Sequence, residues 1–290
     1  MNPLTLFAKK RARPLSSRLA IHTISLDLQG IENKLRVIAE SGFAGVSLWR
    51  QDVMEKPPAE IRKLLNEYKL EVASYCRGGF FAAVDANARR SAIYDTERCI
   101  DEAEAIGASS VLIIPGADPL QSMDASRAQV REALEKLIPY AEKKHVRMAL
   151  EAQHPMHADE RGCINTLREA NDLVEQLGST YLGVCVDTYQ QWWDSSLGDE
   201  IARAGENDNL FCYHVADWKT PTLDFLNDRG IPGEGCIELR RISKQVEEAG
   251  FDGMLEIEIF SNRWSQDDPV HFLHEVKFAC RDYIEPQGGA

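Results

Sequence analysis

Two glutamates, an aspartate and a histidine stand where charge is hardest to accommodate, at or near the carboxyl ends of apolar runs. Glu151 lies in VRMALEAQ (Val146–Gln153), Asp187 closes YLGVCVDT, His214 lies within LFCYHVADW and Glu258 within GMLEIEIF. A buried carboxylate requires a cation or a hydrogen-bond network to receive it. Each residue alone has a plain explanation: Asp187 before Thr188 could cap the next turn, and His214 could be a satisfied core histidine. Their recurrence at four strand ends favours a single shared divalent metal ion. Carboxylate oxygens with one imidazole suit Mn2+ first, with Mg2+ or Co2+ as alternatives, better than a structural zinc site, which would want thiolates. Glu256 faces the same way as Glu258, one layer deeper. It is read either as a buried carboxylate held by Arg or Lys, or as a support for the ligands.

His154 and His157 follow Glu151 closely, and an imidazole with a pKa near neutrality is a competent general base. His154 could equally pack or cap its loop. Trp192, Trp193, Trp218 and Trp264 fall after strands, where sugar faces stack on such rings, so Trp193 and Trp218 are candidate substrate contacts. Arg50, Arg77, Arg161, Lys219 and Arg263 also follow strands and could hold a phosphate or carboxylate. Arg161 and Arg263 are taken as the substrate-binding candidates among them. The RGIPGEG run reads as a tight loop without a phosphate signature.

The elements that must position these residues alternate regularly. Apolar runs predict strands at Leu19–Leu26, Ala44–Arg50, Val72–Arg77, Ser110–Pro115, Val146–Gln153, Tyr181–Thr188, Leu210–Trp218 and Gly253–Phe260. Helical spacing predicts helices at Ile31–Ser41, about Pro58–Lys69, Asn87–Ile106, Met123–Lys144, Asn165–Leu177, Leu197–Ala204, Ile237–Ala249 and Pro269–Tyr283, with Gly42 and Gly107 as breakers. Eight strands alternating with eight helices, without a linker or composition break, predict a closed (β/α)8 TIM barrel. Side chains at the strands' carboxyl ends then converge on one mouth. The barrel is expected over residues 19–285 as one domain, after a basic extension over residues 1–18 carrying Lys9, Lys10, Arg11, Arg13 and Arg18.

Composition narrows the function classes. The 290-residue chain is 44% hydrophobic and carries a formal net charge of -13. An acidic balance opposes a nucleic-acid partner, because such binding rests on Lys and Arg neutralising phosphates. Small neutral or metal-chelated molecules fit better. No apolar run approaches the roughly 18 residues of a membrane span, so no membrane partner is expected. Seven cysteines without a CxxC pair read as reduced thiols of a cytoplasmic protein.

The segments EAQHPM, VCVDTYQQWWD, HVADWKTP, IPGEGCIELRRI and AGFDGMLEIEIFS resemble the sugar phosphate isomerase/epimerase family of the xylose isomerase-like TIM barrels, which also contains AP endonuclease type 2-like proteins. The resemblance runs from about Leu19 and is strongest from Ala149 to Ser261. It implies Glu151, Asp187, His214 and Glu258 as ligands of one divalent metal, with Glu151 and Glu258 also acting as proton donor and acceptor. Ketose 3-epimerases of the group carry substrate-binding Glu, His and Arg where this chain has His157, Gln190 and Thr220. Those departures do not fit free ketohexoses. They leave Gln190 as a candidate substrate contact, and His154 and His157 as candidate catalytic groups beside Glu151 and Glu258.

The expected chemistry is proton abstraction next to a carbonyl, through a metal-stabilised enediolate. A metal-dependent sugar isomerase or epimerase is the first reading. The alternative is a lyase acting by β-elimination on 3-keto glycosides, or a related dehydratase. An AP endonuclease-type nuclease and a non-catalytic sugar binder rank lower. The expected partner is a small sugar or sugar derivative; a homo-oligomer, or a small second subunit in the lyase case, completes the expectation.

Overall fold

The computed structural model describes residues 13–285. Its strands are β1 (Leu19–His22), β2 (Gly45–Trp49), β3 (Glu71–Gly79), β4 (Ser110–Ile114), β5 (Arg147–Glu151), β6 (Leu182–Asp187), β7 (Leu210–Val215), β8 (Asp217–Trp218), β9 (Arg229–Gly230) and β10 (Leu255–Ile257). Eight of them close a parallel barrel in the order β1, β10, β7, β6, β5, β4, β3, β2, while β8 and β9 form a separate antiparallel ribbon. This is the (β/α)8 barrel that the alternation predicts.

Helices α1 (Ile31–Glu40), α2 (Arg50–Val53), α3 (Pro58–Tyr68), α4 (Ala86–Ile106), α5 (Met123–Lys144), α6 (Leu167–Leu177), α7 (Thr188–Gln191), α8 (Leu197–Glu206), α9 (Leu239–Glu248) and α10 (Pro269–Tyr283) follow the strands. Their ends obey local chemistry. Asp85, Ser122 and Asp268 cap α4, α5 and α10 by accepting backbone N–H groups, and Thr166 with Glu169 forms a reciprocal capping box on α6. The expected helix at Asn165 therefore begins two residues later.

Strand alternation sorts side chains onto two faces. Val111, Ile113, Leu150, Val184, Val186, Val215 and Ile257 join the aliphatic layer shared with helix residues such as Leu35, Leu134, Val174 and Ile242. The opposite face carries Ala149 and Glu151, Cys185 and Asp187, Cys212 and His214, and Glu256 and Glu258. A small cluster of Trp49, Cys76, Leu112, Ile114, Ala149, Cys185 and Cys212 lies there.

Several strands stop earlier than hydrophobicity suggests, because side chains capture the backbone. Residues expected to continue β1 instead form a 3-10 turn at Thr23–Ser25, where the Thr23 hydroxyl accepts the Trp49 N–H at 3.0 Å and the Ser25 hydroxyl accepts the Ile259 N–H at 2.9 Å. The expected Leu210–Trp218 strand breaks at Ala216. Its N–H donates to Thr188 Oγ1 at 3.1 Å, and the same hydroxyl donates to the Ala216 carbonyl at 2.8 Å. Released from the barrel, Asp217 and Trp218 pair with Arg229 and Gly230.

Arg18 departs from the expected solvated extension. It is 2% exposed and lies 3.4 Å from Glu247, while its carbonyl accepts the Leu255 N–H at 2.7 Å. Arg13 reaches Glu71 at 3.6 Å. Lys9, Lys10 and Arg11 lie outside the described residues. All seven cysteines are free, and only Cys236 is exposed. Among the described residues, no helix is long and apolar enough to cross a membrane.

Candidate metal centre

The residues singled out at the strand ends converge in the barrel mouth. Glu151 ends β5, Asp187 ends β6, His214 sits next to last in β7, and Glu258 directly follows β10, its N–H donating to the Val215 carbonyl at 3.1 Å. All four are buried. Asp187, His214 and Glu258 present ligand atoms within 4.8 Å of one another, and so do Glu151, Cys185 and His214. His214 Nδ1 lies 3.3 Å from Glu151 Oε1.

Each carboxylate is tied at one oxygen. Asp187 Oδ1 accepts the N–H groups of Tyr189 at 2.7 Å and Gln190 at 3.3 Å, so it does cap α7, yet its Oδ2 is buried without a hydrogen bond. Gln153 Nε2 donates to Glu151 Oε2. Arg229 Nη1 lies 2.5 Å from Glu258 Oε2 and 3.7 Å from Asp187 Oδ2.

Burial, then the charges of Glu151 and Glu258, push the Asp187 carboxyl up to about 7. Burial also pushes Glu258 up, but Arg229, His22 and His214 outweigh it and hold that carboxyl at about 2. Convergent carboxylates, an orphaned Asp187 oxygen and two unpartnered His214 nitrogens fit a divalent cation. The donor set supplies hard oxygens, one imidazole and a nearby thiol, Cys185 Sγ, 3.7 Å from Glu151 Oε1.

Glu256 sits beneath this cluster. No Arg or Lys holds it among the described residues, contrary to one of the two expectations. Ser47 Oγ donates to its Oε2 at 2.7 Å and Ser74 Oγ donates to the same atom, while His214 Nε2 lies 3.4 Å away. A carboxylate behind a ligand imidazole fixes which nitrogen faces the metal.

The sequence reading missed two neighbours. His22 lies 3.5 Å from Glu258 Oε1 and packs edge-on against His214 at 4.5 Å. Its Nδ1 accepts Trp49 Nε1–H at 3.0 Å, and burial lowers its pKa to about 4. A lone histidine in LAIH reads as core, so its type gave no signal. Arg229 lies in the RGIPGEG run and enters the site because β9 pairs with β8. The Asp217 carboxylate accepts the N–H groups of Trp218, Gly233, Gly235 and Ile237, folding that run into the tight loop expected of it.

The remaining candidates separate clearly. His154 caps the turn after it, its Nδ1 accepting the Met156 N–H at 3.1 Å, and its ring stacks on Trp218 at 4.9 Å with Trp193 edge-on at 5.7 Å. Nδ1 is therefore the bare nitrogen, Nε2 carries the proton, and burial lowers the pKa to about 4. That tautomer makes His154 a donor, which disfavours it as the base. The Gln190 carbonyl is committed to the His154 N–H at 2.9 Å. His157 is 9% exposed, and burial, then Arg161 and Arg229, lowers its pKa.

Tyr189, Trp192 and Phe225 extend the aromatic wall from Trp218, whereas Trp264 packs on Phe272. Arg263 is exposed and paired with Glu234 at 2.5 Å, and no contact links it to the four strand-end residues. Glu234 has taken the charge that was expected to face substrate. Arg50 is likewise held by Asp95 and Glu102, and Lys219 by Asp228. Arg161 and Arg77 instead gather about Phe80, their guanidinium carbons 5.9 and 4.2 Å from its ring centre.

The closed parallel barrel defines a fold class that the comparisons bear out. The chain belongs to the xylose isomerase-like TIM barrel family, whose model matches residues 35–279. It is 26% identical over 187 residues to an inosose isomerase of Bacillus velezensis, covering 62% of this chain and 64% of that protein. It is 26% identical over 284 residues to a 3-dehydroshikimate dehydratase of Pseudomonas aeruginosa, covering 92% of this chain but 43% of that protein. The matched regions thus span less than two thirds of either relative.

Among solved structures, a Sinorhizobium meliloti 1021 protein aligns with a TM-score of 0.90 and 34% identity, over 93% of this chain and all of that one. The IOLI protein with a bound zinc atom aligns at 0.80 with 17% identity, over 92% and 98%. Of these relatives, one is named as an isomerase and one as a dehydratase.

Proposed function

We propose that this protein is a divalent-metal-dependent sugar isomerase or epimerase that moves a proton next to a carbonyl. The observation that carries the reading is the pair of buried glutamates, Glu151 and Glu258. Each is tied at Oε2, by Gln153 or Arg229, with Oε1 directed toward an imidazole of the cluster. Glu151, Asp187, His214 and Glu258 would hold the ion, and Mn2+ is the proposed metal from the predominance of carboxylate oxygen. When bound, the ion supplies a Lewis acid that stabilises charge developing on a substrate carbonyl oxygen.

The chain's own groups do the rest. Glu256 orients His214 through Nε2, leaving Nδ1 toward the ligands. Arg229 keeps Glu258 ionised and fixes its plane. Glu258 would accept the α-proton on one face of the carbon, Glu151 would return one on the other face after taking it from solvent, and Glu258 would release its own to solvent to reset the site. Trp193, partly exposed and set edge-on to the stacked His154 and Trp218, could meet a sugar face, with Gln190 bracing the His154 loop. A second reading, β-elimination, is favoured by His157: its side chain is nearly buried and makes no side-chain hydrogen bond among the described residues, so it could serve as a separate base.

Reaction in D2O with Mn2+ tests the proposal. A substrate should exchange its α-hydrogen for deuterium or transfer it internally. Glu151→Gln should abolish turnover, while His157→Ala keeps most of it. Product formed with neither exchange nor internal transfer contradicts both readings. Retained metal with a loss of about 10²- to 10⁴-fold in His157→Ala selects elimination.

A further inference from the structure

We infer that Arg77 and Arg161 form an anion-binding subsite beside the metal centre, so that the substrate is a polyhydroxy ketone bearing a carboxylate or phosphate. The inference rests on the proposed function for the ketone, and on charge for the anion. Of the five cationic candidates Arg50, Arg77, Arg161, Lys219 and Arg263, three, Arg50, Lys219 and Arg263, are paired with carboxylates. Arg77 and Arg161 have no ion pair and no side-chain hydrogen bond among the described residues, and Arg161 Nε is buried without a partner. Both side chains are half-buried, and a guanidinium with a buried, unpaired nitrogen such as Arg161 Nε is costly unless a ligand completes it.

Nor can the metal ligands supply the missing charge. Three ligand carboxylates are matched by a divalent ion together with Arg229, which Glu258 and Asp187 already hold. Glu256, held by serine hydroxyls and His214, offsets one further cation, so one positive charge of the Arg77 and Arg161 pair remains. Arg77 and Arg161 sit near one another about Phe80; burial and then Arg161 pull Arg77 below its usual range, whereas Arg161 is lowered by burial against the pull of Glu151.

The subsite is rigidly built. Both guanidiniums lie about the Phe80 ring, which brings them into one neighbourhood. Phe80 N–H donates to the Ile114 carbonyl at 2.7 Å, and Gly116 N–H donates to the Arg161 carbonyl at 2.8 Å, locking the loops after β3, β4 and β5 together. That contact requires glycines. Gly79 has φ +112°, and a Cβ there would lie 1.9 Å from the Ile114 oxygen; at Gly116, φ +80°, it would lie 2.7 Å from the Phe80 Cα. Backbone held this closely fixes the points from which the two arginines project, and planar guanidinium forks suit a carboxylate or phosphate.

Calorimetry with D-fructose, 5-keto-D-gluconate and D-fructose 6-phosphate, on Mn2+-loaded and on chelator-treated protein, tests the inference. At least one anionic ketone should bind roughly 10- to 100-fold tighter than D-fructose. In Arg77→Met/Arg161→Met that ratio should fall to about one with metal content unchanged, and Arg77→Lys/Arg161→Lys should retain part of it, which guards against misfolding of the Met variant. A preference for 5-keto-D-gluconate alone assigns a carboxylate, and for the phosphate ester alone a phosphate; either supports the subsite. Retained metal with equal affinity for neutral and anionic ketones, or a preference that survives both substitutions, overturns it. If no metal is retained but the chelator-treated protein keeps the anion preference, the proposed function falls and the subsite stands.

Discussion

The two faces of the same barrel strands follow different rules. Toward the helices, Val111, Ile113, Leu150, Val184, Val186 and Val215 fill a dry aliphatic layer in which shape and volume decide. Toward the lumen, one residue away in each strand, stand Glu151, Cys185, Asp187, Cys212, His214 and Glu256. There, polar groups contend for too few partners, and Asp187 Oδ2 and both His214 nitrogens are left without hydrogen bonds. The outer face is complete as the chain folds, whereas the inner face calls for a cation. Neighbours in one strand should therefore fail in different ways when substituted.

Glu151 and Leu150 make the sharpest pair. Glu151→Gln should remove metal retention and, with it, activity, by roughly 10²- to 10⁴-fold or more, while circular dichroism remains that of a folded barrel. Leu150→Ala should cost about 2–5 kcal/mol of stability by leaving a cavity, with metal stoichiometry unchanged at a temperature where it is folded. Denaturant melts and metal analysis of both variants check this. If Leu150→Ala released the ion and Glu151→Gln kept it, the division between the faces would collapse.

A smaller effect is expected one layer down. Glu256→Gln should weaken metal affinity by about 10- to 100-fold, the usual consequence of altering a group behind a ligand histidine, yet leave the ion bound at saturating metal. Competition with a calibrated chelator measures it, and an unchanged affinity would remove Glu256 from the account.

The mildest effect concerns the aromatic wall. His154 titrates at about 4 in the folded protein against a reference of 6.5, because burial and then His157 disfavour its charged form. A depressed folded pKa means that the unfolded chain binds the proton more readily. This contribution to stability is thus complete above pH 6.5 and is lost as pH falls toward 4. His154→Gln should flatten the stability profile in that window. A profile as steep as that of the parent protein would place the titration elsewhere.

The outer face was the easier one to read. Apolar runs such as SVLII and LGVCVD announce strands, and Met123–Lys144 and Pro269–Tyr283 declare their helices through spacing and caps, so those boundaries coincide with the structure. Strand ends were less legible: hydrophobicity carried β1 on to Leu26 and β7 to Trp218, whereas hydroxyls of Thr23, Ser25 and Thr188 divert the backbone. At the lumen, Glu151, Asp187, His214 and Glu258 stood out because a charge at the end of an apolar run is conspicuous. Arg229 did not, since its position depends on the two-residue ribbon of β8 and β9, which no apolar run announces. His22 was hidden by chemistry that an ordinary core histidine shares, and Arg263 looked equivalent to Arg161 until Glu234 was seen to neutralise it.

The central claim is that one ion joins the four residues at the mouth. A crystal of Mn2+-loaded protein measured at the manganese absorption edge addresses it directly. The account predicts a single anomalous peak about 2.0–2.5 Å from an oxygen of each of Glu151, Asp187 and Glu258 and from a nitrogen of His214. A peak lodged instead between His22, His214 and Glu256, the deeper group also able to hold an ion, or one with any of the four side chains turned away, would contradict it.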